Sequence, residues 1–280
     1  MLEPALYVVA TPIGNLEDMT PRAVETLRSV ALIAAEDTRH TARLLGHFNI
    51  DTRLISVHEH NERQRIDTIV HQLASGASVA LVSDAGTPLI SDPGHVLVSR
   101  ARLTGIKVIP VPGASAAISA LSVSGLPCGR FIFEGFLPVK QKAKKDYLES
   151  FRNEKRSVVF YESPHRIIDT LELLAELFPG RQICVARELT KRFETITTAA
   201  TEFIFAFSKE DGDQQKGEFV IVLAGAIDVK GEDDLARERL LVKLLEHLPP
   251  KKAVQIVVDE FGGDKKELYA WSIVHKNERS

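Results

Sequence analysis

The chain has 280 residues, 44% of them hydrophobic and 26% charged, with a formal net charge of -3. That is an ordinary folded protein of one large or two medium domains, not a uniformly basic nucleic-acid binder, although a local basic patch fits within the balance. Two distant cysteines, Cys128 and Cys184, make neither a disulfide framework nor a thiolate metal site, no apolar run is long enough for a membrane span, and no charged segment leads into an apolar signal core, so a cytoplasmic location is expected.

Taken in order, residues 6–10 (LYVVA) read as a buried strand ending in Thr11-Pro12-Ile13-Gly14-Asn15. This turn is not a G-x-G-x-x-G loop, which argues against a dinucleotide site. Residues 21–29 have helical spacing behind Thr20, a good N-cap. A second strand, 31–35, runs into Glu36-Asp37-Thr38-Arg39-His40. Here two readings compete: Asp37 or Thr38 as cap of a helix over 39–48, or a functional cluster in which Arg39 grips a phosphate through its fork. Strand 53–57 follows, then His58 and His60, a pair with weak metal-binding potential and no third ligand. Asn61 is placed to cap a helix over 62–74, which Gly76 closes.

Residues 79–94 (VALVSDAGTPLISDPG) form the centre of the pattern. Four apolar residues stop at Ser83-Asp84-Ala85-Gly86, and a helix is expected from Pro93 to Leu103. Ligands of open α/β sheets sit beyond the carboxyl ends of such strands. Asp84 can accept from ligand hydroxyls or amino groups, and Gly86 has no Cβ to keep a ligand off the backbone. The competing reading makes Asp84 a turn cap and Pro93 and Gly94 a helix start. A strand over 107–111 then leads into Pro112-Gly113-Ala114-Ser115-Ala116, the small-residue start of a helix reaching Ser124.

Alternation of strand and helix to this point predicts a largely parallel sheet. It breaks at Gly125-Leu126-Pro127. Strands are expected at 131–134, 157–161, 182–187, 193–197 and 218–224, a mixed or antiparallel set, with a helix over 166–178. Residues 139–156 carry seven lysines and arginines against three acids, and Lys140, Lys142, Lys144 and Lys145 suit a phosphate backbone unless they form a solvated helix face. The remainder is helical: 235–247, 251–261 and 265–274, the last two joined at Gly262-Gly263 in the manner of a helix-turn-helix. Three domains are expected, 1–127, 128–230 and 231–280.

The stretches LYVVATPIGNLEDMT, ALIAAEDTRHT, VSDAGTPLISDPG, VPGASAAISAL, FEGFLP, FYESPHRI and ARELTK occur in this order. Together they resemble the ribosomal RNA branch of the tetrapyrrole methylase superfamily, the class III methyltransferases. The resemblance covers essentially the whole chain. It implies two α/β domains with S-adenosylmethionine in the cleft between them and a cytoplasmic homodimer; from the residues themselves no metal is expected. It further implies 2′-O-methylation of a cytidine ribose in the decoding region of 16S rRNA, on the small ribosomal subunit. Position by position, it assigns donor contacts to Pro12, Ile13 and Gly14, to Asp84, Ala85, Gly86 and Thr87, and to Gly113, Ala114, Ser115 and Ala116. From the second half come Tyr161, Ser163, Ala186, Glu218 and Phe219. The first loop is not glycine-rich as in the tetrapyrrole enzymes, which fits a different acceptor.

A ribose hydroxyl is a poor nucleophile, so a base or a charge beside it would help. Glu36, Asp37 and Arg39 are the catalytic candidates, with Glu162 and Glu188 across the cleft, and Arg39 and His40 join the four lysines as RNA contacts. Two other functions fit part of the pattern: a small-molecule methyltransferase acting on a tetrapyrrole, and a non-enzymatic RNA-binding or ribosome-binding protein.

Overall fold

The computed structural model describes residues 2–57, 62–227 and 232–277. His58, His60 and Asn61, read above as a weak metal pair and a helix cap, lie outside them. The chain divides into two compact units, Met1–Ala226 and Ile227–Ser280.

The first unit holds two five-stranded sheets. Strands β1 (Leu6–Val9), β2 (Leu32–Ala35), β3 (Leu54–Ser56), β4 (Val79–Val82) and β5 (Val108–Val111) pair in the order β3-β2-β4-β1-β5, all parallel. Side chains alternate across a strand, so each apolar run serves two cores. Tyr7, Val9, Ile33, Ala35, Ala80 and Val82 pack under helices α1 (Pro21–Ser29) and α2 (Thr38–His47). Leu6, Leu32, Ala34, Val79 and Leu81 pack on the other face, under α3 (Glu62–Ala74) and α4 (His95–Leu103). Burial on both faces is why these strands read as unbroken apolar runs. Each fully buried Leu, Ile or Val contributes roughly 1.5–3 kcal/mol.

After α5 (Ala116–Val123), the second sheet comprises β6 (Phe131–Phe136), β7 (Ser157–Glu162), β8 (Gln182–Arg187), β9 (Thr195–Ala200) and β10 (Phe219–Leu223), in the order β6-β7-β10-β8-β9. Only β6 and β7 pair in parallel; the other pairs are antiparallel, giving the mixed sheet expected. Helices α6 (Gln141–Glu149), α7 (Ile167–Leu177) and α8 (Thr201–Glu210) complete this part of the chain. Val158, Phe160, Ile183, Val185 and Ile221 share one core with Leu148, Leu171, Leu174 and Ile204 of these helices. The opposite face, Val159, Cys184, Ala186, Val220 and Val222, receives Ala117, Ala120 and Leu121 of α5. The small-residue helix therefore packs on the second sheet, beyond the pattern break that the sequence placed at 125–127.

Within the lysine-rich stretch 139–156, Gln141–Glu149 forms helix α6, which carries Lys142, Lys144 and Lys145. Helix α8 has no counterpart in the sequence reading. Its buried Thr201, Ile204 and Ser208 have helical spacing, but Phe203, Phe205 and Phe207 lie among them and mask the period.

The second unit is α9 (Glu232–Leu245), α10 (Pro250–Phe261) and α11 (Lys265–Asn277) around Leu241, Ala253, Val254 and Val257. Gly262 and Gly263 both take positive φ, at 69° and 109°, which favours glycine at this turn. The Asp264 carboxylate then caps α11, accepting from the backbone N–H groups of Lys266 and Glu267 at 2.7 and 3.2 Å. No helix among the described residues is long and apolar enough to cross a membrane.

Candidate functional site

The carboxyl ends of β1, β2, β4 and β5 open on a cavity of about 460 Å³, and the ends of β6, β7 and β8 and the start of β10 form its other wall. Small-molecule pockets run from about 300 to 1,000 Å³. The loops at the first sheet's end are bound to one another. Thr11 and Gly86 exchange backbone hydrogen bonds of 2.9 and 3.1 Å, the Thr87 hydroxyl donates to the Ala114 carbonyl, and the Asp37 N–H donates to Asp84 Oδ1 at 3.1 Å. Gly86 sits at φ 79°, and a Cβ there would press on Ile13 at 3.3 Å.

Ile13, Asp84, Ala85, Gly86, Thr87, Ser115, Ala116, Tyr161, Ser163, Ala186, Glu218 and Phe219, all assigned to the donor from the sequence, line this cavity. Pro12, Gly14, Gly113 and Ala114 are not among its lining residues. A Cβ on Gly14 would meet Lys191 Cγ at 2.5 Å, and one on Gly113 would meet Ala10 Cβ at 2.9 Å. Both glycines therefore permit close packing, and Ala114 contributes its carbonyl to Thr87. Ile90, Ser91, Asp92, Phe136, Pro164, Leu189 and Val220 also line the cavity and were not singled out from the sequence. Asp92 stood in a quoted motif, and Phe136 in FEGFLP, but nothing in their spacing marks them.

Of the five residues 36–40, only Glu36 lines the cavity. Burial raises its carboxyl above the ordinary range, and the charges of Asp92 and Asp84 raise it further. Asp92 is raised as well, chiefly by burial. Among the described residues no lysine or arginine pairs with Glu36, and no cluster of three His, Cys, Asp or Glu is arranged to hold a metal ion.

Asp37 instead caps α2. Its Oδ1 accepts from the Arg39 N–H at 2.8 Å, and the Arg39 guanidinium forks onto both carboxylate oxygens at 3.2 and 2.8 Å. These bonds hold the Asp37 carboxyl well below its usual range. The fork expected for a phosphate is thus engaged by Asp37. The Arg39 side chain is 87% exposed and His40 is exposed.

Glu162 lines the cavity but is fully occupied. Its Oε1 accepts from the Ser163 N–H at 2.9 Å and lies 3.2 Å from Arg166 Nε, without hydrogen-bond alignment. Its Oε2 accepts from the Thr170 hydroxyl at 2.7 Å and lies 3.7 Å from Lys144 Nζ. Lys144 Nζ in turn donates to Thr170 Oγ1 at 2.8 Å. Arg166 carries the network to the Leu137 and Pro138 carbonyls at 2.6 and 3.0 Å. Here the expectation for Lys144 is corrected. Its side chain is 2% exposed, because on α6 it faces the sheet and the buried Glu162, so it cannot contact an RNA backbone. Burial pushes its ammonium below the usual lysine value, against the pull of Glu162. Lys140 and Lys142 are exposed; Lys145 is half-buried and paired with Glu176 at 2.6 Å.

Glu188, the other candidate across the cleft, accepts from Lys191 Nζ at 2.9 Å and from the Glu218 N–H at 3.0 Å. Burial raises its carboxyl, but these bonds outweigh that and leave it lowered. Lys191 also donates to Glu218 at 2.9 Å. This cluster fastens the start of β10 to the turn after β8.

A sequence model of the family Tetrapyrrole (Corrin/Porphyrin) Methylases matches residues 5–203, and one of the RsmI C-terminal HTH domain matches residues 231–276. The chain is 49% identical to ribosomal RNA small subunit methyltransferase I of Vibrio cholerae over 98% of this chain and 96% of that protein. It is 51% identical to the protein of that name from Xylella fastidiosa, over 94% and 97% of the two chains. Among solved structures, the methyltransferase CobJ is similar in fold, with a TM-score of 0.59 at 20% identity over 79% of this chain and 94% of that one. The uroporphyrin-III C-methyltransferase of Thermus thermophilus, complexed with S-adenosylhomocysteine, has a TM-score of 0.53 at 17% identity over 79% and 97%. With the cavity at the strand ends and the C-terminal helix-turn-helix in place, the chain belongs to the tetrapyrrole methylase family and, within it, to the ribosomal RNA small subunit methyltransferase I group.

Proposed function

We propose that this protein transfers a methyl group from S-adenosylmethionine to the ribose 2′-oxygen of a cytidine in the decoding region of 16S rRNA, on the small ribosomal subunit. The observation that carries this reading is the acid-lined cavity at the strand ends, in a chain whose near-full-length relatives are named for ribosomal RNA methylation. The cavity residues fit a cationic donor: Glu36, Asp84 and Asp92 line it, and Gly86 and Ala116 bring no bulky side chain to its wall. That donor supplies an already activated methyl group, so the chain's own task is to place the acceptor oxygen and remove its proton.

Asp84, Ala85, Gly86, Thr87, Ser115 and Ala116 hold the donor from one side, and Tyr161, Ser163, Ala186, Glu218 and Phe219 from the other. Glu36 takes the hydroxyl proton. Glu36 and Asp92 both have a raised affinity for a proton and no cationic partner among the described residues, but Asp92 also has a side-chain hydrogen bond with Ser83 that works against its rise, which favours Glu36. Asp37 and Arg39 support Glu36 by fixing the start of α2, and Arg39, His40, Lys140, Lys142 and Lys145 meet the RNA backbone. Residues 1–127 and 128–230 act as the two jaws of the donor cleft and 231–280 as an accessory helical domain. The protein works as a homodimer in the cytoplasm, where ribosomal subunits mature.

The test is to incubate purified protein with labelled S-adenosylmethionine and small subunits from cells lacking this gene, then to map the label. Label on a ribose 2′-oxygen of the decoding region supports the proposal. Label on a tetrapyrrole offered in competition, or donor binding with no labelled RNA, contradicts it.

A further inference from the structure

Phe136 is a large apolar side chain that the fold leaves 56% exposed at the cavity wall. Its position is built, not incidental. Strand β6 carries a bulge between Phe133 and Gly135, so that Phe133 pairs with Val159 and Gly135 with Phe160. In a regular strand, residues three apart face opposite sides of the sheet. The extra residue, Glu134, brings Phe133 and Phe136 onto the same side. Both rings then meet Tyr161 edge to face, at 5.0 and 5.6 Å between centroids. Tyr161 is fixed from behind, its hydroxyl accepting from the Ala117 N–H at 3.3 Å. Tyr147 donates to the Glu134 carboxylate and pins the bulge.

The loop after β4 comes up to the same place. Gly135 lies at φ 63°, and a Cβ there would stand 2.7 Å from Ser91 Oγ. Leu89 and Ser91, neither a glycine, take φ of 74° and 68°. Backbone of this kind persists where the surroundings impose it and gathers at ligand sites. Its product is Ile90, 40% exposed and also lining the cavity. Two exposed apolar side chains, one from the loop after β4 and one from the end of β6, thus line a cavity that also presents the carboxylates of Glu36, Asp92 and Glu218.

We propose that Phe136 and Ile90 form a subsite for the acceptor nucleobase, the ring of Phe136 stacking on a base turned out of its helix. The inference rests on the function proposed above and names the part of the substrate that reaches the cavity first. Flipped and single-stranded bases are held by stacking on aromatic side chains and by hydrogen bonds to their polar edges. The flat ring supplies the first, and the cavity carboxylates accept from an exocyclic amino group for the second. Because the donor also carries a nucleobase, the test must tell the two apart.

The experiment compares wild type with Phe136→Ala, Phe136→Leu and Phe136→Trp. It measures KM and kcat for methylation of unmodified small subunits, and the affinity for S-adenosylmethionine by calorimetry. Stacking on a base is lost in Ala and Leu, so their KM for the subunit rises about 5- to 150-fold, while donor affinity is unchanged and Trp retains function. If Leu performs as well as Phe, the ring acts as apolar filler and the inference falls. If donor affinity falls in step, the ring serves the donor, and the inference falls as well. Unchanged kinetics in Ala would overturn it alone. A wild type that labels no RNA would overturn the functional reading beneath it, and this inference with it.

Discussion

Glu36 and Glu162 occupy matching places on the two sheets. One follows β2, the other ends β7, and both face the same cavity. Their surroundings are opposite. Glu162 is enclosed by Lys144, Thr170, Arg166 and the Ser163 N–H. Glu36 has acidic neighbours in Asp84 and Asp92, and burial raises its carboxyl. The same residue type at equivalent strand ends therefore serves architecture in one half and, in the function proposed above, takes a proton in the other. The number of hydrogen-bond donors and cations around each carboxylate decides which.

The contrast is sharpest in stability. Removing one partner of a buried ion pair leaves the other charge uncompensated, at a cost of about 3–5 kcal/mol. Lys144→Ala and Glu162→Ala should each lose this much in denaturant unfolding of the first unit, and the double variant should lose less than their sum. Additive losses would show that the two groups do not act as a pair. Next in size is Asp37→Ala, which removes a helix cap and should cost about 0.5–2 kcal/mol. Arg39→Ala, at an exposed side chain, should leave the unfolding midpoint almost unchanged.

Glu36→Gln should behave in the opposite sense. A carboxyl whose folded value is raised contributes stability that is fully present below its unfolded value, near 4.5, and lost as pH rises through the folded value. The Gln variant, which cannot ionise, should match or exceed wild type at neutral pH and lose that advantage on acidification. Stability curves that diverge in the other direction would remove the case for strain at Glu36. The smallest effect is expected at the lysines. Lys140→Ala and Lys142→Ala should each flatten the salt dependence of RNA binding by less than about one unit of slope, and Lys144→Met should not flatten it.

Much of the architecture was legible because the strands are buried on both faces. Runs such as Val79–Val82 then carry no polar residue to blur them, and turn residues mark their ends. The same logic placed Asp84 and Gly86 at the cavity, since strand ends are where parallel sheets bind ligands, whereas Ser115 was found through the family resemblance. What the sequence could not carry was the third dimension of side chains with identical chemistry. Lys144 is spelled like Lys140, Lys142 and Lys145, and only the docking of α6 on the second sheet buries one of the four. Phe136 falls beyond the strand expected at 131–134, and nothing in the sequence marks the bulge at Glu134 that sets its ring beside Tyr161. Asp37 and Glu36 are neighbours in the chain, yet the start of α2 takes one carboxylate as a cap and leaves the other facing the cavity.

The most direct test of the contrast is the pH dependence of single-turnover methyl transfer to unmodified small subunits, in wild type, Glu36→Gln and Asp92→Asn. In wild type the rate should fall on the acid side with a midpoint above the ordinary carboxylate value of 4.5. In Glu36→Gln that limb should vanish and the rate drop by about 10²–10⁴. A Glu36→Gln enzyme as fast as wild type, or an acid limb that survives there and disappears in Asp92→Asn, would contradict the assignment of Glu36 as the base.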